Sequence, residues 1–256
     1  MDTLLVERGL AVSRSSAQGL ILSGSVRVGG AVVTKAGSRI GADETLSVDH
    51  AERFVSRAGE KLDAAIGEFG VLVAGRSCLD AGASTGGFTD VLLQRGAERV
   101  LAVDVGYGQF DWSLRNDPRV TVMERTNVRR LAGEDLPFDP DLLVADLSFI
   151  SLTVALESIL STTPALREAI LLVKPQFEAG AEYVGRGGLV RDREVHAAVI
   201  RSVAGYFGTL GFGAVGATRG AVAGRKSGNL EYPVHLIRGA GQDLDETRIR
   251  EVVGGG

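Results

Sequence analysis

The sequence predicts an α/β protein with a mostly parallel sheet, preceded by a small α+β module. Three observations lead to this prediction. After residue 76, short apolar runs recur that are typical of buried strands, and most end in a charged residue. A glycine-rich loop at 82–87 separates the first of these runs from a helical pattern. The first 49 residues show a different pattern, two short helices followed by a valine-rich hairpin.

Composition narrows the class of protein. Of the 256 residues, 45% are hydrophobic and 23% are charged, so the chain can bury a core and is not disordered. Cys78 is the only cysteine, and His50, His196 and His235 form no close pair, so we expect no disulfide and no metal site. The longest uncharged stretch, 202–218, contains five glycines, and we find no signal sequence. We therefore expect a cytoplasmic protein without a membrane span.

Charge is distributed unevenly along the chain. The formal net charge is −4, which by itself argues against a nucleic-acid-binding protein. Residues 1–42, however, carry a net charge of +3, and the remainder carries −7. A basic N-terminal module on an acidic body is typical of an RNA- or DNA-facing domain attached to a second domain. Ordinary variation in surface charge is the alternative.

The N-terminal module, residues 1–49, is predicted to contain two helices and a hairpin. Residues 2–10 form the first helix, which Gly9 ends. Ser13 is a favourable N-cap for the second helix, 14–22, because its hydroxyl can accept a hydrogen bond from a backbone N–H. Valines on both sides of the pair Gly29-Gly30 then predict two short strands joined by a tight turn.

A junction at 50–57 follows this module. It contains neither glycine nor proline, so we expect an ordered linker and not a flexible one. The large domain is predicted to span 58–256 and to begin with a helix, 58–69, that carries Lys61 near its start. The apolar residues that predict this helix recur at helical spacing: Leu62, Ala65, Ile66 and Phe69.

The most informative segment is a strand, a glycine loop and a helix at 77–95. The loop reads D-x-G-x-x-x-G-G from Asp80 to Gly87, and a second strand, 100–103, ends in Asp104. Glycines let a backbone approach a ligand closely. An acid at the end of the second strand accepts hydrogen bonds from ribose hydroxyls. This segment therefore predicts a nucleoside-binding site.

The composition of the loop distinguishes between nucleoside ligands. Dinucleotide-binding loops read G-x-G-x-x-G, which differs from the pattern here. In addition, the negative charge of the Asp80 carboxylate would repel a pyrophosphate. The sequence contains no G-x-x-x-x-G-K-[ST] loop for a nucleoside triphosphate. S-adenosylmethionine fits better, because it is a cation at its sulfonium and carries no phosphate. NAD(P) binding and a purely structural turn stay open as alternatives.

Three further strand ends carry charged residues. Two apolar runs end in Asp146 and Lys174, and Glu231 precedes a third. Groups at the carboxyl ends of parallel strands converge on one crevice, and a buried charge is costly unless it is paired or functional. Structural ion pairs would explain each residue alone. Together with Lys61, the three favour a catalytic site.

The N-terminal module resembles the S-four-type RNA-binding domain. The resemblance rests on four stretches, 4–10, 13–17, 24–30 and 34–37. It implies that the second helix and the hairpin face structured RNA. The basic residues that would contact phosphates, and so fix position without reading sequence, are Arg14, Arg27 and Lys35. A small packing domain with ordinary surface charges is the alternative.

The chain as a whole resembles the TlyA family of ribosomal RNA 2′-O-methyltransferases, whose large domain is FtsJ-like. The matching stretches are 54–62, 79–88, 104–109, 146–151, 172–178 and 228–231. The resemblance implies a Rossmann-like class I methyltransferase domain, S-adenosyl-L-methionine as cofactor, and ribosomal RNA or ribosomal subunits as partners. It also implies methyl transfer to the ribose of a cytidine. The family's Lys-Asp-Lys-Glu tetrad falls on Lys61, Asp146, Lys174 and Glu231.

The same resemblance assigns further residues to the site. The donor contacts would come from the glycine loop and two strand ends: Asp80, Gly82, Ser84, Gly86, Gly87, Phe88, Asp104 and Asp146. Apart from the resemblance, Arg186 is a candidate phosphate contact because it lies on a glycine-rich loop, 184–188, that could cover the substrate, and Arg57 is a further candidate RNA contact. We expect three other residues to pack in the core: Cys78, Phe110 and Trp112.

The implied mechanism is physically reasonable. A ribose 2′-hydroxyl is a poor nucleophile and must lose its proton as it attacks the methyl group. Lys174 would accept that proton if burial and the ammonium of Lys61 favour its neutral form, or it would steer the hydroxyl. Asp146 and Glu231 would orient the two lysines. In-line alignment of the reacting atoms would supply much of the rate.

The resemblance leaves the target subunit and the class of function open. The chain lacks the short basic N-terminal extension of some family members, which favours large-subunit RNA alone, whereas a helix at 243–253 would favour both subunits.

The alternative functions are a noncatalytic RNA-binding assembly factor and, because some members are called hemolysins, a cytolysin. A cytolysin is disfavoured, since we find no amphipathic or apolar membrane element and no export signal.

Overall fold

The structure, a computed structural model, describes residues 1–11, 13–38, 40–41, 43–48, 53–220 and 228–254. It separates into two compact units, Met1–Arg53 and Phe54–Gly256. Of the predicted linker at 50–57, residues 50–52 lie outside the described residues and 54–57 belong to the second unit. The domain limits at 49 and 58 stay predictions.

The first unit contains two helices and a three-stranded antiparallel sheet of order β2-β1-β3. The predicted N-cap is confirmed, because Ser13 Oγ accepts a hydrogen bond from the Ser16 N–H at 3.1 Å. The predicted first helix is shorter than expected, and β3 was not predicted because three residues are too few to show a period. The elements are α1 Asp2–Glu7, α2 Arg14–Leu22, β1 Val26–Val28, β2 Ala31–Val32 and β3 Leu46–Val48.

The second unit is built on a seven-stranded sheet. Its strands are β4 Ser77–Ala81, β5 Arg99–Val103, β6 Val120–Met123, β7 Leu142–Ala145, β8 Glu168–Val173, β9 Phe212–Ala217 and β10 Tyr232–Arg238. The order across the sheet is β6-β5-β4-β7-β8-β10-β9. All neighbours are parallel except β10, which runs antiparallel to both β8 and β9. The predicted α/β fold with a mostly parallel sheet is confirmed.

Helices cover both faces of this sheet. Alternate residues of β4 pack into two separate apolar clusters, Cys78 with α3 and α4, and Leu79 with α6 and α8. The α-helices are α3 Ala58–Phe69, α4 Gly87–Gln94, α5 Trp112–Arg115, α6 Leu152–Thr162, α7 Pro175–Glu178, α8 Arg193–Thr209 and α9 Glu246–Gly254. Short 3₁₀ turns span Val128–Arg130, Gly133–Asp135, Ala181–Tyr183 and Arg186–Gly188. No helix of the described residues has both the length and the apolar character needed to cross a membrane.

The strand order determines where a ligand can bind. β4 lies inside the sheet, and the chain passes from it to β5 and β6 on one side before it returns to β7 on the other. Ligands of open α/β sheets bind at the carboxyl ends of the strands, where the order reverses in this way. The loops that follow β4, β5, β7 and β8 therefore meet at one edge of the sheet.

The predictions for three core residues have different outcomes. Cys78 is fully buried as predicted, and burial raises the pKa of its thiol to about 12. Phe110 is buried too, but Trp112 is 77% exposed, so the prediction that it packs in the core is wrong. The reason is local. Asp111 caps the four-residue helix α5, whose first residue is Trp112 and whose buried residue is Leu114.

Candidate active site

A cleft opens at the carboxyl edge of the sheet, beside the glycine loop. Its volume is about 550 Å³, within the range of roughly 300–1,000 Å³ that is usual for small-molecule sites. Four of the predicted site residues line it: Gly82, Ser84, Asp104 and Asp146. The other lining residues come from the ends of β5, β6 and β7 and the loops after them: Val103, Val105, Gln109, Thr126, Asn127, Val128, Leu147, Ser148, Phe149 and Ile150.

Gly82 brings the loop after β4 close to the end of β7. Its φ of +85° lies in the left-handed region. A Cβ at this position would lie 2.7 Å from the carbonyl oxygen of Asp146 and 2.9 Å from Cδ2 of Leu147. Both observations exclude a side chain, so glycine is required for this close approach of the two loops.

Asp104 is anchored by backbone groups of two loops. Its Oδ2 accepts a hydrogen bond from the Ser84 N–H at 2.8 Å, and its Oδ1 accepts one from the Gly106 N–H at 2.6 Å. A carboxylate has about four acceptor positions, so capacity for ribose hydroxyls is left. The residue thus faces the cleft in a fixed orientation, as a ribose-binding acid requires.

Asp80 lies beneath the loop and not in the cleft. Its side chain is completely buried, and its Oδ2 accepts a hydrogen bond from the Thr89 hydroxyl at 2.7 Å. Its Oδ1 has no hydrogen-bond partner among the described residues. Burial raises the pKa of this carboxyl to about 7. This placement favours a role for Asp80 in holding the start of α4 over the predicted contact with the donor.

The burial of Asp80 predicts a pH-dependent stability. Its folded-state pKa of about 7 lies above its ordinary value of 3.8, so the unfolded chain loses the proton first as pH rises. Between pH 3.8 and about pH 7, the free energy of unfolding should therefore fall by about 1 kcal/mol per pH unit. Above about pH 7 this contribution should stay constant. An Asp80→Asn protein should lack this component, whereas Asp139→Asn, at an exposed position, should keep it. Equal pH slopes in the wild type and Asp80→Asn, measured by chemical denaturation, would contradict the effect.

Three residues predicted to bind the donor contribute no side chain to the cleft. Phe88 is 4% exposed and packs in the apolar core with α3. Gly86 has a φ of +97° and is the N-cap of α4, and Gly87 is the first residue of that helix. Gly87 and Phe88 can offer a ligand their backbone N–H groups, since the first turn of a helix leaves such groups unpaired within the helix, whereas the Gly86 N–H already donates to the Ala83 carbonyl at 2.7 Å.

Lys174 and Asp146 form a buried ion pair beside the cleft. Lys174 Nζ lies 2.5 Å from Asp146 Oδ1 and donates a hydrogen bond to Ser148 Oγ at 3.0 Å. Only 6% of Lys174 is exposed. A buried ammonium is costly unless it is paired and hydrogen-bonded, and here the carboxylate of Asp146 supplies the opposite charge and the hydroxyl of Ser148 accepts a hydrogen bond. Ser148 was not predicted, although it follows Asp146 by two residues in the same strand-end motif.

Lys61 and Glu231 form a second pair. Lys61 Nζ, on α3, lies 2.5 Å from Glu231 Oε2, and Glu231 is buried just before β10. Tyr232 is opposite Val173 in the β10–β8 ladder, so Glu231 and Lys174 lie next to the same end of these two strands. The structure therefore brings the predicted tetrad to one edge of the sheet as two lysine–carboxylate pairs.

Backbone strain marks the same edge of the sheet. Among the described residues, the non-glycine positions with a positive φ are Ser84, Arg125 and Phe149, which follow β4, β6 and β7. Phe149 has a φ of +66°, is 90% exposed, and its ring centroid lies 5.1 Å from that of Phe177. An exposed aromatic side chain on a strained backbone suggests a ligand contact. Phe149 is not among the predicted site residues, and its position three residues after Asp146 is the signal that could have found it.

The predicted RNA contacts lie in both units. In the first unit, Lys35 is exposed, the Arg14 side chain is 69% exposed and paired with Asp2 at 3.1 Å, and Arg27 is half-buried. In the second unit, Arg186 is exposed on a 3₁₀ turn, and Arg57 is half-buried at the N-cap of α3. Exposed guanidinium and ammonium groups are suited to phosphate contacts.

Two family models match the chain. The FtsJ-like methyltransferase model matches residues 54–238, and the S4 domain model matches residues 1–46. The chain is 48% identical over 234 residues to the 16S/23S rRNA (cytidine-2'-O)-methyltransferase TlyA of Mycobacterium tuberculosis, which covers 91% of this chain and 87% of the relative. The chain belongs to the TlyA family of FtsJ-like methyltransferases. The resemblance that the motifs indicated is thereby confirmed for both domains.

Two further proteins that are similar to this chain carry another name. The protein Hemolysin A of Brachyspira hyodysenteriae is 40% identical, over 93% of this chain and 99% of its own length. A solved structure from Streptococcus thermophilus, described as a hemolysin, is 37% identical with a TM-score of 0.76 and covers 99% of this chain and 93% of its own. The fold of the chain is thus shared with a solved structure over nearly its whole length.

Proposed function

We propose that the protein transfers a methyl group from S-adenosyl-L-methionine to the 2′-hydroxyl of a cytidine in ribosomal RNA. The observation that carries this proposal is the arrangement of two lysine–carboxylate pairs, with no side chain more than 15% exposed, beside a nucleoside-sized cleft. The name of the Mycobacterium tuberculosis relative supports the substrate. Because the proposed substrate is the ribosome, we place the protein in the cytoplasm.

The residues that line the cleft fit the proposed donor. Asp104 would hold the ribose hydroxyls, and Asp146 would favour a cationic group near the end of β7. Gly82 has no room for a side chain, so the loop offers backbone to the ligand. When bound, the donor supplies an electrophilic methyl group on a positively charged sulfur. Two acids and no basic side chain among the lining residues favour such a cation over a phosphorylated dinucleotide.

Lys174 is placed to act on the attacking hydroxyl. Its ammonium is held between Asp146 and Ser148, at the end of β8. In this charged form it steers a ribose oxygen and stabilises the negative charge that develops there. Once it has given up a proton, it can accept the proton of the hydroxyl. The structure is compatible with both roles, and the variants described in the Discussion separate them.

Lys61 and Glu231 complete the arrangement. Glu231 neutralises Lys61 and fixes its position, because a buried pair with a 2.5 Å separation leaves little freedom to either side chain. Lys61 adds a second positive charge at the edge where the hydroxyl has to ionise. Since holding the reacting atoms in line supplies much of the rate, the orientation of these side chains is part of the catalysis.

The basic residues of both units would position the RNA. Arg14, Arg27 and Lys35 would bind phosphates through the first unit, and Arg57 and Arg186 through the second. Such contacts release counterions, so we propose that affinity for RNA falls steeply with salt. They fix the register of the RNA, whereas the choice of nucleotide depends on contacts at the cleft.

Phe149 is expected to stack on a base of the bound RNA. Replacement of Phe149 by alanine should raise KM for the RNA substrate by about tenfold or more, because stacking contributes about 1–3 kcal/mol per base. The affinity for the methyl donor has to be measured alongside, because Phe149 also lines the cleft. Leu72→Ala removes another exposed apolar side chain, 82% exposed, before β4, and should leave KM unchanged. An unchanged KM in Phe149→Ala, measured by steady-state methyl transfer, would exclude the stacking role.

The target subunit is the least constrained part of the proposal. The predicted C-terminal helix is confirmed as α9 Glu246–Gly254, and in the resemblance such a helix accompanies activity on both subunits. The relative from Mycobacterium tuberculosis is named for 16S and 23S RNA. We therefore propose that both the small and the large subunit are substrates.

The proposal is tested by transfer of labelled methyl groups from S-adenosylmethionine to purified 30S subunits, 50S subunits and naked ribosomal RNA. Label that resists alkaline cleavage at one cytidine per substrate identifies a 2′-O-methyl group and its position. Label on 50S alone would limit the proposal to the large subunit. Donor binding without transfer to any substrate would refute it and would favour a noncatalytic assembly factor.

A further inference from the structure

A glycine-rich loop, residues 185–190, carries Arg186 into solvent. Arg186–Gly188 forms a 3₁₀ turn, and Gly187 and Gly188 have φ values of +76° and +75°. A Cβ at either glycine would meet no atom of the described residues within 4 Å, so the loop is open on the side that these two positions face. Whatever positions Arg186 must therefore act from beneath the loop.

Two buried side chains hold the loop at Val190. The Val190 N–H donates to Asn229 Oδ1 at 3.1 Å, and the Val190 carbonyl accepts from His196 Nε2 at 2.9 Å. Asn229 Nδ2 also donates to the carbonyl of Gly188 at 2.7 Å. Asn229 and His196 are 3% and 2% exposed. Buried hydrogen bonds of this kind are costly to break, because the unpaired groups cannot reach water.

The histidine extends this arrangement to β10. Its Nε2 has to donate, since a carbonyl oxygen only accepts, and its Nδ1 therefore accepts from the Tyr232 hydroxyl at 2.8 Å in the neutral ring. Tyr232 is completely buried and is the first residue of β10. The ring of His196 thus connects the loop to the start of that strand.

The hydrogen bonds that hold the loop bracket a residue of the tetrad. Asn229 precedes Glu231 by two residues, and Tyr232 follows it directly. Glu231 is itself paired with Lys61 at 2.5 Å. One short segment, 229–232, therefore carries one anchor of the Arg186 loop, the tyrosine that bonds to the other anchor, and the carboxylate that positions Lys61.

We propose that Asn229, His196 and Tyr232 are positioning residues that couple the Arg186 loop to the Glu231–Lys61 pair. The inference rests on the proposed function, in which Arg186 binds an RNA phosphate. Binding at Arg186 then favours the anchored loop, and the anchored loop holds Glu231 and Lys61 in the arrangement that transfer requires. Release of the loop misplaces the pair, and a misplacement of about 1 Å costs about 100-fold in rate.

The test uses the full chain and two variants, Tyr232→Phe and Asn229→Ala. Tyr232→Phe removes one hydroxyl and keeps the buried ring, whereas Asn229→Ala removes both hydrogen bonds to the loop. Trypsin cleavage after Arg186, followed by mass spectrometry, reports loop release without any substrate. Methyl transfer gives kcat and KM for RNA, and calorimetry gives the affinity for S-adenosylmethionine.

The matched control is His235→Gln, on the same strand. His235 Nε2 bonds to Glu168 Oε1 at 2.6 Å, and Glu168 begins β8, so this pair lies toward the other end of the ladder. The His235→Gln variant changes the buried hydrogen bond to Glu168 and none of the hydrogen bonds that hold the loop. It should lower stability as the test variants do, and leave cleavage at Arg186 and kcat as in the wild type.

We expect Asn229→Ala to speed cleavage at Arg186 and to lower kcat by about tenfold or more, with donor affinity unchanged. Tyr232→Phe should show the same changes to a smaller degree. Faster cleavage with an unchanged kcat would overturn the coupling, as would an equal loss of kcat in His235→Gln. If the wild type transfers no methyl group, the proposed function fails, and unchanged cleavage in Asn229→Ala would independently refute the anchoring of the loop.

Discussion

Replacement of Lys174 by alanine is expected to lower methyl transfer by about 10³-fold, because it removes the group that acts on the attacking hydroxyl. The affinity for S-adenosylmethionine should survive, since Lys174 is not among the residues that line the cleft. Single-turnover transfer of labelled methyl groups to ribosomal subunits measures the first quantity, and calorimetry measures the second.

Stability has to be followed alongside, because the variant leaves the carboxylate of Asp146, whose side chain is only 14% exposed, without its cationic partner. Ser148→Ala provides a graded comparison. It keeps the Lys174–Asp146 pair and removes only the 3.0 Å hydrogen bond to Lys174, so its loss of activity should be much smaller. Near wild-type transfer by a folded Lys174→Ala protein would remove Lys174 from the reaction.

Lys174→Arg separates the two roles that the structure allows. Arginine keeps a positive charge for Asp146 but does not lose its proton in proteins. A protein as inactive as Lys174→Ala would identify Lys174 as the proton acceptor. Substantial retained transfer would identify it as a residue that steers the hydroxyl and stabilises developing charge.

The second large effect is expected at Gly82. An alanine there would place its Cβ 2.7 Å from the Asp146 carbonyl oxygen, on a backbone with a φ of +85°. Either the loop shifts away from β7, which moves the backbone that the donor approaches, or the end of β7 shifts, which moves Asp146, the partner of Lys174. We expect donor affinity to fall by about 100-fold and the free energy of unfolding to fall by about 1–3 kcal/mol.

Gly75→Ala is the matched control for this variant. Gly75 has a φ of +76°, and a Cβ there would meet no atom within 4 Å. Alanine at position 75 therefore has the strain of a left-handed backbone but no steric clash of the kind expected at position 82. Position 75 lies before β4, away from the cleft. Calorimetry and chemical denaturation should show a modest loss of stability and normal donor affinity. An equal loss of donor affinity in both variants would show that strain alone, and not the approach to Asp146, explains the effect.

Local patterns were sufficient for much of the site. The D-x-G-x-x-x-G-G loop predicted the strand, turn and helix around β4, because glycine spacing and apolar periodicity are properties of neighbouring residues. Strand-end charges predicted that Asp104, Asp146 and Lys174 would meet, since parallel strands of one sheet end at one edge. Short-range periodicity also predicted α3, and with it the position of Lys61.

What the sequence determined by itself is which residues stand at strand ends and helix starts. Only the tertiary structure decided how they combine: Lys61 with Glu231, 170 residues apart, and Lys174 with Asp146. It also decided that Asp80 and Phe88 are buried while Phe149 is exposed. The physical reason is that pairing and burial depend on strand order and on the register of β8 with β10, which long-range packing sets and no local pattern records.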